Sequence, residues 1–412
     1  MHRIRTSLPY FKDFGWDAEV VTVDERYSDM VKDDLLEQTV PDNVRVHKVK
    51  AFNKRFTSKF GLGSIALRSI WYYFIKVNSL LKEQHFDLIY FSTTQFQVCI
   101  LGSYWKKKFG IPYVIDMQDP WHSDYYLNKP RHQRPKKFWF SYRLNKYLEP
   151  LAVANADGLI SVSESYITDL KNRYKQIIDI PAKTITFGAF KPDLDIASQQ
   201  QFPPLLDRTS INIVCVGRGG EDMHQAIAIV FAELQRSIVN SGTLYNKLKF
   251  YFIGTSYAPD GKGISSIVML AKTFGLEDHV VEITDRISYY HSLNVLLQSD
   301  VLFIPGSDDP KYTASKIYPY LLTGKPILAI FHKASSALAI LKSHGVTNAF
   351  SFEDAQAGKL NEVFERLVSK QFEKDQYYTE TAERYSSQAL TLQQCHLFDL
   401  VLTAVANRYE HT

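Results

Sequence analysis

Residues 211–222 read Ile-Asn-Ile-Val-Cys-Val-Gly-Arg-Gly-Gly-Glu-Asp. A short apolar run rich in β-branched residues passes directly into a glycine-rich turn, and a helical pattern follows from about Met223 to Ser237. Glycine lets a backbone turn tightly and approach a ligand closely. A helix N-terminus behind such a turn presents free N–H groups and partial positive charge, the setting in which phosphates bind. Arg218 adds a cation whose planar fork suits a phosphate. Gly217, Gly219 and Gly220 with Arg218 are therefore candidate phosphate-binding residues.

Working outward, the same alternation of strand and helix recurs. Strands are expected at 249–254, 280–284, 301–305, 326–331 and 349–352, separated by helical stretches. Upstream, strands are expected at 18–23, 44–48, 88–91, 113–116, 158–162 and 183–187, with helices at 64–83, 95–109, 138–154 and 164–174. Alternating short strands and longer helices predict βαβ units and a parallel sheet. Residues 188–208, with Pro192, Pro203, Pro204 and a run of glutamines, read as a linker. The expected fold class is thus α/β, with two Rossmann-like domains at 1–195 and 205–385 facing across a cleft. Residues 386–412 are expected to form a helix packing back on the first domain. Ligands in open parallel sheets bind beyond the carboxyl ends of the strands.

The beginning of the chain departs from that plan. Residues 2–13 read as a helix, and the first strand comes only after Gly15. A Rossmann-like domain normally opens with a strand and a glycine-containing turn. The expectation is either a start lying upstream or a first-strand position left vacant. A third reading is a surface helix leading into an ordinary edge.

A second constellation follows the strand at 301–305: Gly306-Ser-Asp-Asp-Pro-Lys-Tyr-Thr-Ala-Ser-Lys-Ile-Tyr-Pro-Tyr. Thr313 or Ser315 is suited to cap the next helix. Lys316 falls in its first turn, where a cation opposes the helix dipole unless an anion is present. The conflict points to an anionic ligand.

Composition narrows the field. Hydrophobic residues make up 45% and charged residues 22%, an ordinary globular balance rather than a disordered one. Residues 51–150 hold 16 Lys and Arg against 6 Asp and Glu, a basic surface fit for phosphates or an anionic membrane. Lys106–Lys108 beside Trp105, and Arg131, Arg134, Lys136 and Lys137 before Phe138-Trp-Phe, favour peripheral membrane contact, although the aromatics suit a core equally. No nucleic-acid reader motif occurs, so nucleic acid is not an expected partner. Cys99, Cys215 and Cys395 have no CxxC spacing, which argues against a disulfide framework or a zinc site and fits a reducing compartment. The expected location is the cytoplasm, with contact at the inner face of the membrane.

The order and spacing of these pieces resemble the GT-B glycosyltransferases, most closely the family 4 group of bacterial cell-surface polysaccharide enzymes. The resemblance is carried by Phe86-Asp-Leu-Ile-Tyr-Phe-Ser, Tyr113-Val-Ile-Asp-Met-Gln-Asp-Pro-Trp, Ala156-Asp-Gly-Leu-Ile-Ser, the Gly217 loop, Ser299-Asp-Val-Leu-Phe-Ile-Pro, Ala314-Ser-Lys-Ile-Tyr and Gly324-Lys-Pro. It implies a retaining, metal-independent transfer from a nucleotide-sugar co-substrate to a glycan or lipid-linked sugar acceptor, with no other cofactor. It further implies that Arg218 binds the diphosphate and that the loop holding Arg286 and Ile287 lies at the nucleobase. The family's second basic residue would stand near Met223 and His224. The family's paired glutamates fall on Lys311 and Pro319, neither acidic, while Ser315 and Lys316 fit a related SK-type pattern. Asp308 and Asp309 lie close enough in sequence to serve the sugar or ribose instead. In the first domain Asp116 and Asp119 follow a strand end, and a carboxylate there suits acceptor hydroxyls or a base role. Trp121 suits stacking on a sugar. Asp119, Arg218 and Lys316 are the expected catalytic residues. The competing readings are an inactive partner subunit of the same fold and a sugar-nucleotide epimerase.

Overall fold

The computed structural model describes residues 2–28, 33–135, 137–310, 312, 316–369 and 383–410. The chain divides into two compact units. Unit 1 comprises Met1–Met30, Val40–Phe187 and Ser387–Thr412, and unit 2 comprises Val31–Thr39 and Gly188–Ser386.

Unit 2 is built on six parallel strands: β7 (Ile211–Val216), β8 (Leu248–Ile253), β9 (Val280–Ile283), β10 (Val301–Pro305), β11 (Ile327–Phe331) and β12 (Ala349–Ser351). Their order is β12-β11-β10-β7-β8-β9. The chain starts in the middle, winds outward through β8 and β9, then returns to the other side of β7 for β10. The switch point therefore lies between β7 and β10, where Val301 pairs with Ile213 and Leu302 with Val214.

Period-two alternation explains why these strands read as unbroken apolar runs: both faces are covered. Ile213, Cys215, Phe250, Phe252, Phe303 and Ile330 enter one core, under helices α7 (His224–Ser241), α8 (Ser266–Lys272) and α12 (Leu360–Val368). Val214, Tyr251, Ile253, Ile304 and Ala329 enter the other, under α6 (Lys191–Gln199), α9 (Tyr289–Gln298), α10 (Ile317–Leu322) and α11 (Ser336–Ser343). Helix α6 occupies the stretch expected as linker. Pro192 sits in its first turn, where proline's missing N–H costs nothing. The buried Asp193 carboxylate accepts hydrogen bonds from the Tyr289 and Tyr290 hydroxyls at 2.9 Å each, fixing α6 to α9.

Unit 1 carries two separate parallel sheets: β1 (Glu19–Val23) with β2 (Arg45–Val49), and β3 (Ile89–Ser92), β4 (Tyr113–Met117), β5 (Gly158–Ser161) and β6 (Ala182–Thr184) in that order. Among the described residues no strand precedes α1 (His2–Ser7) and none joins β1 to β3. Helices α2 (Ile65–Glu83), α3 (Ile100–Phe109) and α4 (Phe138–Val153) cover one face of the β3–β6 sheet over Phe91, Tyr113, Ile115 and Leu159. Helices α1 and α13 (Ser387–Glu410) cover the other over Val114 and Ile160. Helix α5 (Glu164–Arg173) adds Leu170 to the first core. By length and composition Ser387–Arg408 is apolar enough to cross a membrane, yet here Leu390, Leu397, Phe398 and Val401 are buried in the unit-1 core.

A buried ion pair locks these layers. Arg3 of α1 meets Asp116 at 2.8 Å, both side chains almost fully buried, and donates to the carbonyls of Ile185 and Thr186. The same Asp116 oxygen accepts from Ser92, Tyr90 and Gln118. Asp116 is thereby committed to the interior of unit 1 rather than left open for an acceptor.

Candidate active site at the carboxyl edge of unit 2

β7 ends at the switch point, and the turn after it is shaped by two glycines. Gly217 has φ +116°, a conformation that L side chains rarely adopt. At Gly220 a Cβ would lie 2.5 Å from the Arg218 guanidinium and 2.6 Å from the Asp222 carboxylate, so a larger residue would displace that pair. The N–H groups of Gly217 and Gly219 donate to the carbonyls of Ile253 and Thr255. Those two amides are thereby taken, and Gly217 and Gly219 offer room and direction rather than N–H donors.

The Arg218 fork is occupied by Asp222. Nη1 reaches Oδ1 at 2.7 Å and Nη2 reaches Oδ2 at 2.6 Å. Burial pushes the Asp222 pKa up, but hydrogen bonds from Arg218 and Ser307 outweigh it, and the carboxyl sits below its ordinary value. Burial likewise pulls Arg218 down, and Asp222 more than restores it. The Asp222 carbonyl accepts the Asp308 N–H at 2.9 Å, which ties the loop after β10 to the loop after β7. The Asp308 side chain stays exposed.

Lys316 stands immediately before α10, at its N-cap. Its Nζ lies 3.5 Å from the Cys215 sulfur, at the end of β7. Tyr312 links the two cations. The Arg218 guanidinium lies 5.8 Å from its ring centroid, and burial raises the Tyr312 hydroxyl pKa while Lys316 and Arg218 both lower it. Tyr320 of α10, fully buried, accepts from the Val216 N–H at 2.8 Å and donates to the Val216 carbonyl at 3.2 Å. These bonds pin the second loop's helix to the root of the first loop. Thr313, Ser315 and Lys311 lie outside the described residues.

After β9, Arg286 lies along the same edge. Its guanidinium is 4.3 Å from the Tyr257 ring centroid, its Nε donates to the Ser256 carbonyl, and its buried Nη2 has no hydrogen-bond partner among the described residues. The Tyr257 ring is exposed. Ile287 packs into the unit-2 core. In sheet order the carboxyl-edge loops thus carry Arg286 against Tyr257, Arg218 against Tyr312, and Lys316. His224 does not join them: its Nε2 is 3.2 Å from the Ser266 hydroxyl. Met223 is core.

Asp119 belongs to unit 1, in the loop after β4. It is exposed, and surrounding protein raises its carboxyl pKa by desolvation. The loop is held rigidly. Buried Glu149 accepts the His122 N–H at 3.0 Å and the Tyr174 hydroxyl at 2.8 Å, and pairs with Arg173. Trp121 stacks on Phe96 and donates to Asn145. It is a packing residue, which replaces the expectation of sugar stacking.

Sequence reasoning missed Asp222, Tyr257, Tyr312, Ser307 and Tyr320. Only Asp222 gave a signal: an acid four residues after Arg218, across a helix start, is placed to meet it.

The doubly wound unit 2, the parallel β3–β6 sheet of unit 1 and the loops at the strand ends define the α/β fold of the GT-B class. The chain is similar in structure to sucrose-phosphate synthase from Thermosynechococcus elongatus, at 14% identity over 97% of this chain and 93% of that one, with a TM-score of 0.58. It is similar to a trehalose-6-phosphate synthase at 11% identity, 97% and 93% coverage and a TM-score of 0.55. The E. coli protein bound with UDP-2-fluoro glucose gives 12%, 94% and 99%, and 0.52. No family model and no curated protein matches the sequence.

Proposed function

We propose that the chain is a glycosyltransferase that takes its sugar from a nucleotide-sugar donor held on unit 2, retains anomeric configuration, and needs no metal. The acceptor class we propose is a glycan or lipid-linked sugar. The observation that carries the reading is the placement of Arg286, Arg218 and Lys316 on loops of the carboxyl edge that holds the β7/β10 switch point. Solved structures of the same fold with sugar-phosphate synthase names support it. The family 4-like assignment rests on Arg218, Lys316 and Gly324-Lys-Pro.

Negative charge grows on the diphosphate as the sugar–oxygen bond breaks. Fixed cations aimed at that charge stabilise the transition state more than the ground state. Arg218 and Lys316 supply them without a metal. The donor must draw Arg218 away from Asp222 or share it, so Asp222 acts as an internal stand-in for phosphate. The exposed Tyr257 ring beside Arg286 suits a nucleobase face. Asp119 is the proposed carboxylate for the acceptor hydroxyl.

The test is release of nucleoside diphosphate from a panel of nucleotide sugars, with and without oligosaccharide acceptors. Turnover is expected for at least one donor, with R218A and K316A each lowering kcat/KM by about 100-fold. Nucleotide binding without any release would assign the chain to an inactive subunit of the same fold instead.

A further inference from the structure

We propose that the outer face of α2, α3 and α4 in unit 1 is a docking surface for an anionic lipid bilayer, independent of the donor site. The inference starts from charge. Residues 51–82, 88–115 and 125–148 contain no Asp or Glu at all. Of the six acidic residues within 51–150, Asp116 and Glu149 are buried; Glu83 and Asp87 lie at and beyond the end of α2, and Asp119 and Asp124 lie in the loop after β4. Apart from Glu83 at the end of α2, the exposed side chains of these helices are basic, apolar or uncharged.

The apolar groups are large and exposed on the side away from the sheet. On α4, Trp139 is 65% and Tyr147 68% exposed, and with Leu151 they recur at intervals of eight and four residues, one helical stripe. Trp71 and Ile75 stand four apart on α2 and are about half exposed. The layer is continuous: Phe74 of α2 meets Tyr104 of α3 at 5.1 Å between ring centroids, and Ser103 of α3 donates to the Leu151 carbonyl of α4.

Cations are interleaved with these rings rather than segregated. Arg143 lies 5.7 Å from the Trp139 ring centroid, and Lys108 lies 5.3 Å from that of Tyr104. Lys107 and Lys146 are exposed beside them. A soluble surface gains nothing from exposed Trp and Tyr in rows. A bilayer interface takes their rings at headgroup depth while Lys and Arg meet anionic headgroups. Stable attachment generally needs both signals, and this face has both.

The test is sedimentation of the full chain with vesicles of pure phosphatidylcholine and of phosphatidylcholine with about 30% phosphatidylglycerol, the anionic component supplying the surface potential. Partition into anionic vesicles is expected to exceed that into neutral ones at least tenfold. K107E/K108E/R143E/K146E should abolish that excess. W139A/Y147A should lower partition several-fold. Both variants should keep wild-type nucleotide affinity and melting temperature, which separates this inference from the donor-site reading. Equal partition into the two vesicles, insensitivity to both variants, or single-stranded oligonucleotide binding that displaces the vesicles and needs the same residues would overturn it.

Discussion

Asp222 holds the fork that a phosphate would otherwise take. D222N should therefore raise affinity for pyrophosphate or a nucleoside diphosphate several-fold, measured by calorimetry at pH 7. The same pair contributes to folding. Its carboxyl pKa is depressed below the ordinary 3.8. The stabilisation is thus present above 3.8 and is lost as pH falls through the lower folded value. Because Arg218 is partly solvated, the contribution is about 1 kcal/mol. Thermal unfolding of wild type and D222N should differ at pH 7 and converge as pH falls through the depressed carboxyl value. Asp119 behaves oppositely: desolvation raises its pKa above 3.8. If it handles the acceptor hydroxyl, the acidic limb of kcat/KM against pH lies above the ordinary carboxylate value, and D119N removes that limb. A limb unchanged in D119N excludes Asp119 from the role.

At the scale of elements, Tyr320 makes β7 and α10 one unit by bonding both polar groups of Val216. Y320F should cost about 1 kcal/mol in denaturant unfolding and also weaken nucleotide binding, because the first loop loses its anchor. A surface tyrosine would do neither. Helix α13 is the second such element. It is apolar enough to suggest a membrane span, but Phe398 is buried and meets Trp16 and Tyr90 at ring-centroid distances of 5.2 and 5.0 Å. F398A should destabilise unit 1 by about 3–5 kcal/mol, read from chemical denaturation. The strands of unit 2, and β4 and β5 of unit 1, were legible because buried parallel strands are continuous apolar runs: β10 matches its expected bounds. Helix α6 was not, since Pro192 and the nearby glutamines mimic a linker, and only the packing of Leu194 and Ala197 on α9 reveals its burden.

At the scale of the whole molecule, the sheet order of unit 2 does more than any single residue. Winding outward from β7 and returning to β10 forces two loops, more than 80 residues apart in sequence, to the same edge. Arg218 and Lys316 were readable from glycine spacing and from a cation misplaced against a helix dipole. The tyrosines beside Arg218 and Arg286 were not, because Tyr312 and Tyr257 take meaning only from tertiary neighbours. Asp116 was misread for the same reason: a strand-end carboxylate looks available until Arg3 is seen to cover it. Trp121 failed likewise, through Phe96 and Asn145.

The central claim is that these two loops bind a diphosphate. Calorimetric titration of UDP, GDP, ADP and TDP into wild type, R218A and K316A tests it most directly. The account predicts saturable binding of at least one nucleotide by wild type, weakened about tenfold or more by each substitution. Equal affinity in all three proteins, or no binding by wild type, would contradict it.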